Sequence, residues 1–387
     1  MNIFSRLGKT TMKLEEVTEL LNKLRIPIGL VFTPTNLKSE KKKFFNSNTY
    51  EPQFEYRNIK NSNLSILREL ASVQSISDVD PRISDFYIQL ISSKDEANRL
   101  MRAVGNNELV SEISYHRYGK PTPLLFRNAS RVLRNRLKTY NISKYPPKKS
   151  REMLGYDEIE RIFNSVFEIL GIEDWGVQKS KNIPKNVARV GIKSKKVFLY
   201  PEIERSKFKL RKTIIHEVGT HVLRSINGAQ SGFNALSKAN LPSYLDVEEG
   251  LATWNEENMD LLTKKWLKEK AALACAIYMG EDMTFRNLYN VLLGSLPPKA
   301  AFNVTYRIKR GLGDTSYPGI YSKDVVYFRG FRRVRNKLED DKSMYKKLYA
   351  GKIDFKQCSW VDSGLIPKAK IVPDKEEWKK IFREVGI

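Results

Sequence analysis

Cysteine and histidine are both scarce in this chain, which has only two cysteines, Cys275 and Cys358, and three histidines in 387 residues. Two cysteines do not supply a disulfide framework, so we interpret both as buried or incidental thiols. Long apolar runs are also missing, and none approaches the roughly 20 residues that a membrane-spanning helix needs. The first residues contain no apolar segment of the signal-peptide kind. Together these absences predict a cytoplasmic protein with no membrane span.

Acidic residues are in a clear minority. The chain has 68 Lys and Arg against 44 Asp and Glu, a formal net charge of +24. Such an excess attracts polyanions such as nucleic acid, anionic lipid or an acidic protein tail, but it equally describes a basic surface that is simply solvated. The positive charge is spread along the chain and accompanies no zinc-finger, RNP or Walker signature, so we identify no dedicated nucleic-acid motif.

The spacing of the apolar residues predicts an α+β protein that is mostly helical. Short runs predict strands of a small sheet at Trp175–Gln178, Ala188–Ile192 and Lys196–Tyr200, and Ile28–Phe32 is a further candidate strand. His116 lies in loop-like sequence without an acidic partner, and we interpret it as structural. Helical periodicity predicts helices over Leu14–Leu24, Leu64–Ser72, Pro81–Ser93, Ser93–Glu108, Asn128–Tyr140, Asp157–Leu170, Ile214–Ile226, Glu249–Met259, Leu261–Met279, Asn287–Leu293 and Asp374–Val385.

The pattern of breaks predicts how the chain is divided. Residues 1–57 are expected to form an N-terminal helix and an extended segment packed on the main domain, which comprises residues 58–387. The extended segment is Thr33–Tyr56, where prolines and a basic run interrupt any periodicity. Tyr145–Arg151, which reads Y-P-P-K-K-S-R, is the clearest break between elements within the main domain.

Two of the three histidines lie in Ile214–Arg224, which reads I-I-H-E-V-G-T-H-V-L-R. The apolar flanks predict a buried helix that carries His216, Glu217 and His221, although buried polar groups are unfavourable unless they are paired. Histidines five residues apart lie about 140° off one face of a regular α-helix, too far for both rings to reach one ion. A π-bulge brings residues i and i+5 onto one face. Gly219 lies between the two histidines, where the lack of a side chain makes such a distortion of the backbone sterically easiest. The alternative is a helix with two unrelated histidines.

A third metal ligand is available in Asp246–Glu257, an acidic run that reads D-V-E-E-G-L-A-T-W-N-E-E. A catalytic zinc commonly has three protein ligands and one open position, and His, His, Glu is a standard set. Glu248 or Glu249 is the candidate, since both directly precede the apolar residues. Glu256 and Glu257 instead fit a solvated acidic helix start, where carboxylates favour the N-terminal end of the helix dipole.

Several segments together resemble one protein family. They are H-E-V-G-T-H, R-S-I-N-G-A-Q at Arg224–Gln230 and E-E-G-L-A at Glu248–Ala252. These resemble the zinc metallopeptidases named for a Q-E-G-L-A motif, a family that includes the microtubule-associated tyrosine carboxypeptidases. The segments Thr33–Phe45, Tyr50–Tyr56 and Tyr321–Gly330 resemble the terminal segments of the same family, so the likeness covers most of the chain.

The resemblance implies a zincin-like metallopeptidase fold with a small sheet beside the metal-binding helix. It also implies that His216, His221 and Glu249 bind Zn²⁺ and that Glu217 is the catalytic base that activates the attacking water. Glu248 stands where the family name has Gln. Competition between Glu248 and Glu249 for the metal therefore stays open.

The resemblance further implies a zinc-dependent carboxypeptidase that removes a C-terminal residue from a protein or peptide. Such an enzyme needs a cation to hold the terminal carboxylate, and Arg310 and Lys323 are the candidates. Tyr327 is the candidate donor to the developing oxyanion. The basic composition suits a substrate with an acidic C-terminal tail but does not identify the substrate.

Two other functions stay open at this point. A catalytically silent binding or regulatory protein would keep the same fold, although the intact Glu217 argues against it. A non-peptidase zinc hydrolase would use the same residues, and the sequence does not separate it from a peptidase.

Overall fold

The computed structural model describes residues 10–59, 62–144, 152–185, 187–238 and 241–387. The chain divides into two compact units. The predicted break at Tyr145–Arg151 lies outside the described residues, and the predicted domain boundary after residue 57 stays a prediction. Unit 1 comprises Met1–Arg136, Asn240–Ser243 and Lys268–Arg329, and unit 2 comprises Leu137–Ala239, Tyr244–Leu267 and Gly330–Ile387.

Helices dominate both units, and the predicted mostly helical α+β class is confirmed. A π-helical turn at Glu217–Val222 joins α9 to α10 in one continuous run, and short 3-10 turns lie at Ser322–Asp324 and Phe355–Gln357. In chain order the α-helices are α1 (Leu14–Lys23), α2 (Ile28–Val31), α3 (Leu37–Phe45), α4 (Leu64–Ala71), α5 (Pro81–Arg102), α6 (Asn107–Tyr118), α7 (Pro123–Leu133), α8 (Tyr156–Ile169), α9 (Lys207–His216), α10 (Leu223–Ala229), α11 (Ala235–Lys238), α12 (Pro242–Asn258), α13 (Lys264–Met279), α14 (Phe285–Leu293), α15 (Pro298–Lys309), α16 (Val325–Asp340), α17 (Met344–Leu348), α18 (Cys358–Asp362) and α19 (Lys375–Glu384).

The strands in the described part of the chain form three small sheets. In unit 2 the three predicted strands are all present: the central strand β6 pairs in parallel with β4 and antiparallel with β5. Val197 and Leu199 of β6 are fully buried, which is the alternation expected of a half-buried strand. The strands are β1 (Thr10–Lys13), β2 (Val73–Ser77), β3 (Met153–Leu154), β4 (Gly176–Lys179), β5 (Ala188–Gly191), β6 (Lys196–Leu199) and β7 (Arg205–Ser206).

Two predictions for the N-terminal region are wrong. The candidate strand Ile28–Phe32 is the short helix α2, because an apolar run this short does not distinguish a helix from a strand. The segment Thr33–Tyr56 is not extended throughout, since it contains the helix α3 at Leu37–Phe45. Phe44 of α3 is fully buried, so packing of one large side chain stabilises a helix that the basic sequence around it does not predict.

Three further predictions in unit 1 need correction. The helices predicted on either side of Ser93 are one helix, α5, because Ser93 is buried and accepts hydrogen bonds from Arg117 instead of capping a new helix. His116 lies in α6, not in a loop, and its Nδ1 contacts the carboxylate of Glu96. The helix predicted over Asn128–Tyr140 ends at Leu133, and Asn135 adopts a positive φ of 59°.

The core of unit 2 fixes the helical run that carries the histidines. Apolar side chains of this run, Leu210, Ile214, Val218 and Val222, are all fully buried. They belong to one cluster with the apolar face of α8 and the buried residues of β6. Burying each such side chain stabilises the fold by about 1.5–3 kcal/mol, so the other face of the run is held in a defined direction.

Gly250 allows a close approach between α12 and α16. A Cβ atom at Gly250 would lie 2.3 Å from the carbonyl oxygen of Gly330, and one at Gly330 would lie 2.1 Å from the carbonyl oxygen of Asp246. Only glycine fits two backbones at this distance. The glycine of the E-E-G-L-A motif therefore sets how closely the helix that carries the glutamates can pack.

Cys275 and Cys358 are free and buried, as predicted. Burial raises the pKa of each thiol to about 11. None of the helices in the described residues is both long and apolar enough to cross a bilayer.

Candidate metal centre

The π-helical turn at Glu217–Val222 places the two histidines on the same side of the helix. At its end the N–H of Leu223 reaches the carbonyl oxygen of Val218, five residues back. The expected local widening of the helix is therefore present. The ring centroids of His216 and His221 lie 5.0 Å apart, with their planes at 81°.

Glu249 of α12 completes a group of three possible ligands. One ligand atom from each of His216, His221 and Glu249 lies within 4.8 Å of the other two. His216 Nε2 and Glu249 Oε2 are 3.8 Å apart. All three side chains are partly exposed, so an ion can reach them from solvent.

Each histidine ring is oriented by a buried carboxylate on α12. His216 Nδ1 lies 2.9 Å from Glu256 Oε1, and His221 Nδ1 lies 2.7 Å from Glu248 Oε1. A carboxylate acceptor assigns the proton of a neutral imidazole to Nδ1 and leaves the lone pair on Nε2. Both rings are thus prepared to offer Nε2 to a metal.

The donor set fits a zinc ion. Two neutral imidazole nitrogens and one carboxylate are a standard ligand set for catalytic zinc, which keeps one coordination position open. The hydrogen-bonded Nδ1 atoms supply the outer partners that metal-binding histidines almost always have. Among the described residues, no other group of His, Cys, Asp or Glu side chains comes together in this way.

Glu248 is fully engaged by other side chains. Its Oε1 accepts hydrogen bonds from Lys352 and His221, and its Oε2 accepts one from Arg224. Burial opposes its charge, but Lys352, Arg224 and His221 together hold the pKa of this carboxyl well below its usual range. Glu249 is therefore the one of the two adjacent glutamates whose carboxylate approaches the Nε2 side.

Glu256 and Glu257 are not solvated, so that interpretation of the sequence is wrong. They lie at the end of α12, not at its start, because the helix begins at Pro242. Carboxylates are unfavourable in a last turn, and here cations compensate them: Lys212 Nζ lies 2.6 Å from Glu256 and Arg335 Nε lies 3.6 Å from Glu257. Burial opposes the charge of Glu256, but Lys212 and His216 lower the pKa of this carboxyl.

Sequence reasoning missed the role of Glu256, although a signal was present. Glu256 follows Glu249 by seven residues, and residues two helical turns apart lie on one face. The available clue was therefore a second glutamate on the same face of α12 as Glu249, where it can reach His216. Its partner Lys212 precedes His216 by four residues on α9.

The pKa values of His216 and Glu217 are both raised at the site, the first by neighbouring carboxylates and the second by burial. Burial alone would lower the pKa of His216, but the hydrogen bond and charge of Glu256, with the charges of Glu217 and Glu249, raise it to about 9. A metal that enters the site must displace that proton, so binding strengthens as the pH rises. Burial raises the pKa of the Glu217 carboxyl, and His216, His221 and Arg205 partly offset that effect.

The three residues predicted to bind substrate belong to unit 1, whereas the histidines belong to unit 2. Arg310 directly follows α15, and its Nη2 lies 3.6 Å from Asp324 Oδ1. Lys323 is half-buried in a 3-10 turn, and the ring of Tyr327 lies 4.2 Å from Lys270 Nζ. Their contact with substrate stays a prediction.

The chain is similar to a known family over most of its length. A family model described as microtubule-associated tyrosine carboxypeptidase matches residues 42–379. Microtubule-associated tyrosine carboxypeptidase 1 of Mus musculus is 25% identical over 308 residues, which is 78% of this chain and 55% of the mouse protein.

Two further relatives with the same printed name match shorter stretches. The Homo sapiens protein is 36% identical over 125 residues, 31% of this chain and 26% of the relative. The Rattus norvegicus protein is 29% identical over 164 residues, 40% of this chain and 34% of the relative. The chain spans about half the length of the mouse protein, and the matches to the other two cover smaller parts of them.

Proposed function

This chain belongs to the microtubule-associated tyrosine carboxypeptidase family, and we propose that it is a zinc-dependent carboxypeptidase. The observation that carries the proposal is the convergence of His216, His221 and Glu249, with ligand atoms within 4.8 Å of one another. Glu217 directly follows the first of these residues. This is the minimum set for hydrolysis at a metal: three ligands and one base.

The ligands would be Nε2 of His216, Nε2 of His221 and the carboxylate of Glu249. A zinc ion held there supplies a Lewis acid that polarises a scissile carbonyl and makes water nucleophilic at neutral pH. Glu256 and Glu248 keep the imidazole protons on Nδ1. Their charges are balanced by Lys212 on one side and by Arg224 and Lys352 on the other.

Glu217 would act as the general base. Its partly buried position raises the pKa of its carboxyl, which brings it closer to the range in which a carboxylate accepts and returns a proton efficiently. Glu217 takes the proton of the attacking water and delivers it to the departing amine. Its neighbour His216 belongs to the ligand set, so the two adjacent residues divide binding and proton transfer between them.

The proposed substrate is the C-terminal end of a protein or peptide. The relatives are named tyrosine carboxypeptidases that associate with microtubules, so a C-terminal tyrosine on a cytoplasmic protein is the first residue to test. Arg310 or Lys323 would hold the terminal carboxylate, and Tyr327 would donate to the oxyanion. The net charge of +24 suits a substrate with an acidic tail.

The test is incubation of the zinc-loaded protein with peptides that differ only in their C-terminal residue, followed by mass spectrometry. We expect release of a single C-terminal residue, with tyrosine preferred. Internal cuts would make the protein an endopeptidase. Cleavage of ester or amide substrates without peptide cleavage would indicate a non-peptidase zinc hydrolase, and binding of peptides without any cleavage would indicate a silent binding protein.

A further inference from the structure

The π-helical turn at Glu217–Val222 is a rare conformation on which the approach of the two histidines depends. If these residues formed a regular α-helix, His216 and His221 would point about 140° apart. Something must therefore stabilise the wide turn against the ordinary one. Three buried polar side chains contact it: Thr220, Asn255 and Tyr349, which are 0%, 6% and 1% exposed. We call these three residues the polar clamp.

Hydrogen bonds join the three residues of the polar clamp to one another and to the backbone of the helical run. The Tyr349 hydroxyl donates to the carbonyl oxygen of Gly219 at 2.6 Å. Asn255 Nδ2 donates both to the Tyr349 hydroxyl and to Thr220 Oγ1, each at 2.8 Å. The Thr220 hydroxyl donates in turn to the carbonyl oxygen of Ile215, five residues back, at 3.3 Å. The Tyr345 hydroxyl also donates to the Tyr349 hydroxyl, at 3.4 Å. Removal of the Tyr349 or the Thr220 hydroxyl would leave one Asn255 N–H without its acceptor, and a buried donor without a partner is unfavourable.

The hydrogen bonds of the polar clamp are made to the part of the helical run that carries the histidines. Gly219 and Thr220 both lie between His216 and His221, and the Ile215 carbonyl precedes His216. Asn255 directly precedes Glu256, whose carboxylate accepts from His216. Adjacent residues of α12 therefore bond to the Thr220 side chain in the turn and to one of the imidazole rings.

We propose that Asn255, Tyr349 and Thr220 are positioning residues that hold His216 and His221 in the arrangement that binds a metal. The proposal rests on the proposed function, because it assigns the clamp a role at that same metal centre. The clamp contributes no ligand atom. Its effect is on the geometry of the free protein, which sets the metal affinity through preorganisation.

If the polar clamp only stabilised the fold, its removal would lower the stability of the protein without changing its metal affinity. Loss of one buried hydrogen bond lowers the stability of any protein by about 1 kcal/mol, whether or not a metal site is nearby. The metal affinity of the fully folded protein separates the two roles. A structural bond leaves that affinity unchanged, whereas a positioning bond changes it.

The main variant is Tyr349→Phe, which removes one hydroxyl and keeps the ring. Its zinc dissociation constant is measured by competition with a chelator, at a temperature where circular dichroism shows full folding. The control is Ser225→Ala. Ser225 lies in the same helical run, and its buried hydroxyl donates to the carbonyl oxygen of Ser237 at 2.9 Å. We expect Tyr349→Phe to weaken zinc binding about tenfold or more, the lower end of the range for outer partners of metal ligands, and Ser225→Ala to leave it unchanged.

A second pair keeps the test decisive if Tyr349→Phe does not fold. Thr220→Val removes the hydroxyl at nearly constant volume, and Thr220→Ser retains it. We expect zinc binding to weaken in Thr220→Val and to be preserved in Thr220→Ser. A parent protein that binds no zinc would remove the proposed function together with this inference. A parent that binds zinc, with Tyr349→Phe or Thr220→Val binding equally tightly, would remove the inference alone.

Discussion

Glu248 and Glu249 are adjacent residues with different surroundings. Glu248 is 4% exposed and is held by Arg224, Lys352 and His221. Glu249 is partly exposed and faces His216 Nε2. A buried carboxylate between two buried cations is a structural ion group whose loss leaves uncompensated charge, whereas a partly exposed carboxylate beside a lone pair is available to an ion.

Alanine variants of the two glutamates should therefore differ, one in its zinc content and the other in its folding stability. We expect Glu249→Ala to lose zinc while it stays folded. Glu248→Ala should be destabilised by about 3–5 kcal/mol, because Arg224 and Lys352 then remain buried without a counter-charge. Metal content and thermal unfolding of the two purified variants check both statements. A Glu249→Ala protein that retains its zinc would contradict Glu249 as the third ligand, and loss of zinc from Glu248→Ala in the same experiment would point to Glu248 instead.

Glu256 gives a second prediction at the scale of single residues. In Glu256→Gln, the side chain keeps its size but loses the charge that orients His216 and neutralises Lys212. We expect zinc affinity to fall about 10–100-fold. Glu257→Gln is the matched control, because Glu257 is the adjacent buried glutamate and accepts from the Asn141 N–H at 2.9 Å, not from a histidine. Equal zinc affinities in the two variants would contradict the orienting role of Glu256.

Two elements make the site: the run from α9 through the π-helical turn to α10, and the helix α12. The first supplies both histidines and Glu217, and the second supplies Glu248, Glu249 and Glu256. α12 can approach closely because Gly250 lies against Gly330, where a Cβ atom would lie 2.3 Å from the carbonyl oxygen. The spacing between helices is thus set by glycine at the residue after the proposed ligand.

The element-scale prediction is that Gly250→Ala displaces α12. The added methyl group must push against the backbone of Gly330, and overpacking of this kind costs about 1–3 kcal/mol. We expect reduced stability and weaker zinc binding in the same variant, since Glu249 directly precedes Gly250. Thermal unfolding and chelator competition measure the two effects.

Gly155→Ala is the control for that substitution. A Cβ atom at Gly155 meets nothing within 4 Å, and the residue has an ordinary φ of −81°. We expect its stability to change by less than about 1 kcal/mol and its zinc affinity to stay constant. If Gly250→Ala behaves like Gly155→Ala, the close contact of the helices is not what positions Glu249.

At the scale of the whole molecule, the separation of contacting residues along the chain decides which features the sequence predicts and which it does not. The five-residue spacing of His216 and His221 around Gly219 is local, and local geometry was enough to predict the π-helical turn. Arg224, Lys352 and Tyr349 meet the site only because unit 2 is assembled from three separate segments of the chain. No periodicity or motif relates residues 224 and 352, so their ion pairs with Glu248 were not predictable.

Contacts between residues that are far apart in the sequence also explain the incorrect predictions for Ser93 and Glu256. The residues next to Ser93 predict a helix start there, but Arg117, 24 residues away, donates hydrogen bonds to the carbonyl and hydroxyl oxygens of the buried Ser93. The acidic run predicts a solvated Glu256, but Lys212 pairs with it from 44 residues upstream. In both places a distant cation decided the environment of a polar side chain.

The most direct test of the central claim is the substitution Glu217→Gln in the full chain, with zinc content and release of a C-terminal residue measured on the same sample. Glutamine keeps the size of the side chain and one acceptor oxygen but cannot take up the proton. We expect about one zinc per chain and normal folding, with turnover reduced by about 10²-fold or more. Retained zinc with unchanged peptide cleavage would contradict the account, and so would a parent protein that takes up no zinc.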